Sequence, residues 1–499
     1  MAKRKRNADA GLVTREVAPA KKTKAADPVP SKKTDASDPV LCTSPVTIQV
    51  VTGSYDRVLH GLTATVQPDG QVEFADTFLF NAHSSAIRCL AVSPPSAPEP
   101  GKIQKVMLAS GSSDERINVY HISAHPPKRK SKDLLSSIAP RKILENPKNR
   151  ELGTLLHHSS TITALSFPTR SKLISASEDS SIAVTRTRDW SLLSTIKVPK
   201  PKPLGRPSGD TAALDGTPAG VNSFAVHPSM KLMISVSRGE RCMRLWNLMT
   251  AKKAGVLNFG RDILQEAGES KHSPGEGRKV VWGATEEGDE FCVGFDRDLI
   301  VFGMDSTPKC RVMPEPRRKI HEFCYVSIDS ADSSLLAVST EDGRVMFFST
   351  STEDLSEGES KPDTKTEKLP VAKLVGQLGG KEAGVTGRIK DFAICKSLEE
   401  QGDALFVTTG SSDGKVRLFS LSTRELAEAR RAKTDKPMGK LLGTYDTQNR
   451  ITCLSAFTMI PRGEGVEDSE DEFGDETDED EEDDDDEDDE DEDEDEDEN

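Results

Sequence analysis

VTTGSSDGKVRLFSL, residues 407–421, reads as a strand, a tight turn and a second strand. Apolar side chains recur at every second position on both sides of a Ser-Ser-Asp-Gly cluster, which is the strand period broken by turn-forming residues. The cassette recurs as LASGSSDERINVYHI (108–122), LISASEDSSIAVTRT (173–187) and LAVSTEDGRVMFFST (336–350), with VVTGSYDRVLHGL (50–62) as a fifth copy. MISVSRGERCMRLWNL (233–248) and FCVGFDRDLIVF (291–302) are degenerate sixth and seventh copies. A strand–turn–strand unit repeated this way marks a repeat architecture.

A lead strand recurs ahead of the cassettes: AIRCLAVS (86–93), TITALSF (161–167), GVNSFAVHP (220–228), RKVVWGA (278–284), HEFCYVSI (321–328), RIKDFAIC (388–395) and RITCLSAF (450–457). A further apolar run often follows, as in TFLFNAH (77–83), LGTLLHH (152–158), SLLSTIKV (191–198) and KLLGTY (440–445). Four strands in each of seven repeats predict an all-β, seven-bladed β-propeller. The first cassette has no lead strand before it, and the last lead strand, RITCLSAF, has no cassette after it. The two ends therefore complete one blade together, a closure that removes free edge strands.

Charge divides the chain. From Glu464 to Asn499 there are 29 Asp/Glu and no Lys or Arg, so the formal charge of −17 separates into −29 on this tail and +12 on the rest. Residues 1–45 read as a disordered basic arm, 46–460 as the propeller and 461–499 as a disordered acidic tail, because the two ends lack apolar residues to bury. Insertions rich in Pro, Gly or charge are expected to loop out at about 123–150, 199–219, 351–368 and 425–438. The eight cysteines are scattered, with no Cys-x-x-Cys pair, and read as small buried hydrophobes in a reducing compartment. No run approaches a membrane span and no signal-peptide core precedes the body, so a soluble intracellular protein is expected.

The turn aspartates Asp56, Asp114, Asp179, Asp342 and Asp413 invite a reading as catalytic carboxylates. Their fixed place in the repeat favours a structural one, in which each accepts N–H bonds within its turn. Glu240 and Asp296 occupy the matching region of the degenerate copies, whose blades are expected to be the least regular. His83, His157 and His158 stand just before lead strands, where repeats of this kind hold a histidine against the turn of the same blade. Trp246 in RLWNL fills the place of the Trp-Asp dipeptide of WD40 repeats, although Asn247 replaces the Asp. No His/Cys/Asp cluster has metal spacing, and nothing resembles a phosphate-binding loop, a nucleophile elbow or a kinase signature. Neither an enzyme nor a cofactor is expected.

Lys3, Arg4, Lys5 and Arg6, with Lys21, Lys22 and Lys24, form basic clusters in the N-terminal arm. Nuclear import and direct phosphate contact both fit them, and import is favoured by their terminal position. Lys128, Arg129, Lys130 and Lys132, with Arg141 and Lys142 beyond, make the better RNA-contact candidate, since phosphate neutralisation needs only clustered charge. Few aromatics accompany them, so base stacking is not indicated. Ser469 and Thr477 sit among acids, as acidophilic kinases prefer.

VVTGSYDRVLHGL, LHHSSTITALSF, KLISASEDSSIAV, HPSMKLMISV with LWNL, and TQNRITCLSAF stand in the order and context of one group. Over about 46–460 the chain resembles the WD40 family that includes the yeast maintenance-of-killer assembly factor and the animal PAK-interacting protein. The resemblance implies a nucleolar, non-catalytic factor that docks on precursor large ribosomal subunits, contacts their proteins and rRNA, and supports rRNA processing. It implies a monomer within a large complex, with no membrane or small-molecule substrate. Two other readings stay open: a signalling adaptor that restrains a p21-activated-type kinase, and a histone-binding propeller that the acidic tail would suit. The arm, tail and long insertions depart from the shorter animal pattern and inherit nothing from it.

Overall fold

Alternating strands joined by tight turns fold here into seven four-stranded antiparallel sheets. The structure is a computed structural model and describes residues 44–99, 103–127, 143–144, 146, 149–201, 219–270, 273–328, 334–356, 368–398, 403–432 and 437–462. Blade 1 joins β1 (Val46–Ser54), β2 (Val58–Val66) and β3 (Val72–Asn81) to the last strand of the chain. Blade 2 is β4 (Ile87–Val92), β5 (Lys105–Ser112), β6 (Ile117–Ser123) and β7 (Arg150–Leu155); blade 3 is β8 (Ile162–Thr169), β9 (Lys172–Ser177), β10 (Ser181–Arg186) and β11 (Leu192–Lys197). Blade 4 is β12 (Val221–Val226), β13 (Leu232–Ser237), β14 (Cys242–Asn247) and β15 (Lys252–Asn258), and blade 5 is β16 (Lys279–Thr285), β17 (Gly288–Gly294), β18 (Leu299–Gly303) and β19 (Pro308–Val312). Blade 6 is β20 (Ile320–Ser327), β21 (Ser334–Thr340), β22 (Arg344–Ser349) and β23 (Lys373–Gly379), and blade 7 is β24 (Ile389–Lys396), β25 (Ala404–Ser411), β26 (Lys415–Ser422) and β27 (Lys440–Asp446).

The last strand, β28 (Ile451–Thr458), pairs antiparallel with β1, so the N- and C-terminal parts of the propeller share blade 1 as the sequence predicts. The first strands of successive blades touch in the order β4, β8, β12, β16, β20, β24, β28 and back to β4, which closes the ring around a central axis. Closure leaves no terminal blade, and the remaining edges are the short outer strands of the individual blades.

Seven apolar clusters fill the ring, one at each junction between neighbouring blades. A blade therefore packs on both faces, and its second strand is buried throughout in β25 and beyond Lys105 in β5. This explains the small residues in LASGS and VTTGS. A Cβ on Gly111 would meet Ile162 of the next blade at 2.7 Å, and one on Gly53 would meet Ile87 at 2.6 Å. Ile87, Ile162 and Ile451, each almost fully buried, fill those close approaches, and each contributes about 1.5–3 kcal/mol by burial.

The degenerate blades 4 and 5 are complete four-stranded sheets, so their irregularity lies in side chains and not in strand count. Two helices were not expected. α1 (Arg261–Glu266) lies between β15 and β16 and buries Leu264 beside Phe259 and Phe295. α2 (Thr423–Arg431) occupies the segment read as a looped-out insertion at 425–438 and buries Leu426 in the junction of blades 6 and 7. Its charge density, TRELAEARR, hides a single apolar anchor that a loop reading overlooks.

Candidate functional site: the turn-acid face and the channel mouth

In an antiparallel blade, the turn between its second and third strands and the entry to its first strand lie at the same end. The seven turn acids and the seven inner-strand entries thus share one face. In blade 4 the left-handed residue of the turn is Gly239, before Glu240, whereas in blades 1, 2, 3, 6 and 7 it is the residue after the acid. In blades 1, 3, 6 and 7 the N–H of that residue returns to the carbonyl three residues back, as from Gly414 to Ser411 at 3.1 Å. Gly343 and Gly414 suit this position, while Arg57, Glu115 and Ser180 hold it at φ of 67–71°.

Asp114 and Asp179 do what the repeat position predicts. His83 Nδ1 lies 3.1 Å from Asp114 Oδ2, and Ser84 and Arg116 donate N–H bonds to the same carboxylate. Burial opposes ionisation of Asp114, but the Ser84 N–H and His83 outweigh it and hold the carboxyl below its usual range. In blade 3, His158 Nδ1 lies 3.1 Å from Asp179, which also accepts from Ser159 N–H and from Ser181. The far ring nitrogens lie 2.8 Å from Ser110 Oγ and Ser175 Oγ. Each set has the composition of a Ser–His–Asp triad, yet both serines are essentially unexposed (0% and 1%). A nucleophile must reach a substrate carbonyl, so these are structural networks. His157, the third histidine singled out, bonds no turn acid among the hydrogen bonds described.

The other turns use arginine. Glu240 pairs with Arg244 at 2.7 Å, Asp342 with Arg344 at 2.7 Å, and Asp413 with Arg417 at 2.8 Å. Trp246 Nε1 donates to Ser235 Oγ at 2.8 Å, keeping one bond of the histidine network in a blade that lacks the histidine. Asp56 accepts the Arg450 N–H at 3.2 Å, which ties the first turn to the last strand. In blade 5 Asp296 is half-exposed and meets Arg278 at 3.0 Å. The buried acid there is Asp298, clamped by Arg311 and Arg317 at 2.6 Å each. Sequence position pointed to Asp296. The signal for Asp298 is the pair of arginines downstream of it in the same repeat.

The channel mouth was not foreseen. In six of the seven inner strands the pairing register slips by one or two residues at the entry end, between Ile87 and Cys89, Ile162 and Ala164, Val221 and Ser223, Ile320 and Phe323, Ile389 and Asp391, and around Thr452. A bulge frees a residue from the ladder and re-aims its side chain. The freed residues reach the neighbouring blade. Thr163 Oγ1 donates to Val221 O at 2.7 Å, Asn222 Nδ2 to Gly277 O at 2.9 Å, and Thr452 Oγ1 to Ile87 O at 2.6 Å. Lys279 pairs with Glu322, Lys390 Nζ lies 3.4 Å from His321 Nε2, and Leu454 N–H donates to Asp391 at 2.8 Å. Six of the seven blade-to-blade steps are bridged by these bonds, four of them through a bulge-freed residue (Thr163, Asn222, Lys390 and Thr452).

The same entries carry the charge. Arg278, Lys319, Arg388 and Arg450 each precede an inner strand by one residue, and Arg88 and Lys390 lie at the bulges. The arc runs through blades 5, 6, 7, 1 and 2, whereas blades 3 and 4 present Thr163 and Asn222. Burial, then Lys390, Lys319, Arg388 and Arg278, push His321 down to about 4, so it is neutral near pH 7. Burial, then Arg388 and Arg450, also lower Lys390. Beneath them burial pushes the Cys89 and Cys324 thiols up to about 12, which makes them the inert hydrophobes expected. The sequence signal was present: RKVVW, KIHEF, RIKDF and RITCL open with cations, and TITAL and GVNSF do not.

The import candidates Lys3 to Arg6 and Lys21, Lys22 and Lys24 lie outside the described residues, as do Lys128, Arg129, Lys130, Lys132, Arg141, Lys142, Ser469 and Thr477. The flanks of the basic insertion are described: β6 ends at Ser123 and β7 begins at Arg150, on the face opposite the turn acids.

Seven four-stranded blades, a shared turn acid and a histidine in two of them define a WD40-repeat β-propeller, a fold that typically serves as a scaffold. The family model "WD domain, G-beta repeat" matches residues 149–184, the stretch that carries His158, Ser175 and Asp179. The wider likeness is to the group read from the sequence. The chain is 27% identical over 434 residues to Protein MAK11 of Saccharomyces cerevisiae, covering 82% of each chain. It is 24% identical over 416 residues to the p21-activated protein kinase-interacting protein 1-like of Gallus gallus, covering 82% of this chain and 80% of that one. The Xenopus laevis protein of the same name is 23% identical over 417 residues, covering 84% and 83%.

Proposed function

We propose that this propeller is a non-catalytic docking platform on precursor large ribosomal subunits, acting in the nucleolus and supporting their maturation and rRNA processing. The observation that carries the reading is the likeness to MAK11 across four fifths of both chains, spanning the ring and not one repeat. The geometry is compatible. A closed ring with interblade bonds is a rigid body, and rigid bodies present several contacts at little ordering cost. In this reading the basic insertion at Lys128–Lys142 contacts rRNA phosphates, the N-terminal clusters direct nuclear import, and Ser469 and Thr477 accept phosphate without switching an already acidic tail.

The kinase reading rests on the names of the animal relatives. Sedimentation of tagged protein from nuclear extract, with probing of the copurifying RNA, separates the two. Precursor large-subunit rRNA in a heavy peak is the expected result. A light, RNA-free peak containing a kinase would replace this reading with the adaptor.

A further inference from the structure

Arg88 and Lys390 lie on the inner strands β4 and β24, and Arg450 immediately precedes β28 between them, at the channel mouth. The other cations of the arc are matched: Arg278 and Lys319 by Asp296, Arg388 by Glu341, and Lys279 by Glu322. These three have no ion pair among the described residues. Lys390 has only a neutral imidazole within bonding distance, and Arg450 lies over the Tyr55 ring, 5.6 Å from its centroid. The half-buried carboxylate next in sequence, Asp391, is engaged by the Phe392 and Leu454 N–H groups. Arg450 repels the Lys390 charge, Arg88 stands on the neighbouring inner strand, and none of the three is ion-paired among the described residues, so an anion bound there would relieve unmet charge.

The same chain carries the matching polyanion. Residues 478–498 are 21 consecutive Asp and Glu. Their root lies on the opposite face, where Ile460 N–H donates to Ala124 O at 2.8 Å and Arg462 Nε to Pro126 O at 3.1 Å. The 37 residues beyond Arg462 span up to about 120 Å when extended. A path around the rim, out past four strands, across one strand length and back, is about 75 Å. About the last dozen residues can therefore lie at the mouth. In an extended chain alternate side chains face one way, about 6–7 Å apart, a spacing that suits cations from neighbouring strands.

We propose that the mouth formed by blades 7, 1 and 2 is a binding site for an extended Asp/Glu-rich segment, and that its occupant is the chain's own tail, 464–499. The tail is then a tethered competitor. Its effective concentration is on the order of millimolar, and any outside polyanion must displace it to reach the mouth.

The test compares the full chain with a length-matched variant in which every Asp and Glu of 464–499 is replaced by Asn or Gln. The probe is a fluorescein-labelled twenty-residue oligoglutamate, read by anisotropy at low salt so that screening is weak. The neutralised variant should bind the probe at least tenfold more tightly than the native chain, and adding Arg88→Ala and Arg450→Ala should abolish that gain. Equal binding by the native and neutralised chains overturns the proposal. So does a gain that survives the two Arg→Ala changes, which would put the tail on another basic surface. A neutralised chain that takes a twenty-nucleotide oligouridine but ignores oligoglutamate also overturns it, because the mouth would then read phosphate. No ribosomal component is involved, so this proposal and the docking function fail independently.

Discussion

Blades 2 and 3 hold their turn acids with histidine, whereas blades 4, 6 and 7 hold theirs with arginine. Blades 2, 3, 6 and 7 share a left-handed residue directly after the acid, and blade 4 places Gly239 before it; the electrostatics differ between the two sets. A histidine network ends in a buried serine and consumes all its bonding capacity inside the blade. An arginine adds a permanent charge, and the inner strands of blades 6 and 7 add more beside it. At the mouth the division runs differently: blades 3 and 4 present Thr163 and Asn222, whereas cations gather at the inner-strand entries of blades 5, 6, 7, 1 and 2. One repeat unit thus yields a structural sector and a binding sector without any change of fold.

The largest expected effect lies at the seam that both sectors depend on. Deleting 450–460 removes β28, exposes β1, and strips one wall from the junctions on each side. No cooperative thermal transition should remain, and a soluble truncation with a sharp melt would refute the closure argument. Asp413→Ala tests the arginine sector. It leaves the Arg417 guanidinium, whose side chain is 4% exposed, without its carboxylate, at about 3 kcal/mol in a urea titration. Asp179→Ala tests the histidine sector, where lost hydrogen bonds should cost about 2 kcal/mol. A cost for Asp179→Ala well above that for Asp413→Ala would reverse the ranking of the two sectors. Asp56→Ala, with one N–H bond at stake, should cost under about 1 kcal/mol.

Acid should also separate the sectors. His321 titrates near about 4 in the folded state against an ordinary 6.5, so the folded protein binds fewer protons than the unfolded one between these values. Its contribution is therefore whole above about pH 6.5 and lost as the pH falls toward 4. His321→Gln should flatten the fall in melting temperature between pH 7 and pH 4.5; an unchanged profile would remove His321 from the account. The smallest effect is expected at the mouth. Arg450→Ala, an exposed side chain with no ion pair among the described residues, should change stability by less than about 0.5 kcal/mol. A larger loss would mean that the arc holds the ring together and does not stand ready for a ligand.

Much of this was legible in local pattern. GSSDGKVRLF shows two strands and their turn, and the orphan RITCLSAF shows the shared blade, because strand period and turn chemistry are written within a dozen residues. TRELAEARR was misread, since one buried leucine among charges leaves no clear period. Asp298 was passed over for Asp296, because burial at either position depends on arginines more than ten residues away.

By itself, then, the sequence determined the number of blades, the closure, the turn acids and the opposed charges of body and tail. All of these follow from short-range periodicity and composition. Only the tertiary structure decided where the cations meet. Arg88, Lys390 and Arg450 come from segments far apart in the chain, and the packing of neighbouring inner strands brings them to one end of the ring. Whether a charge finds a counter-ion is settled by the neighbours that ring closure supplies, which no local window of sequence contains.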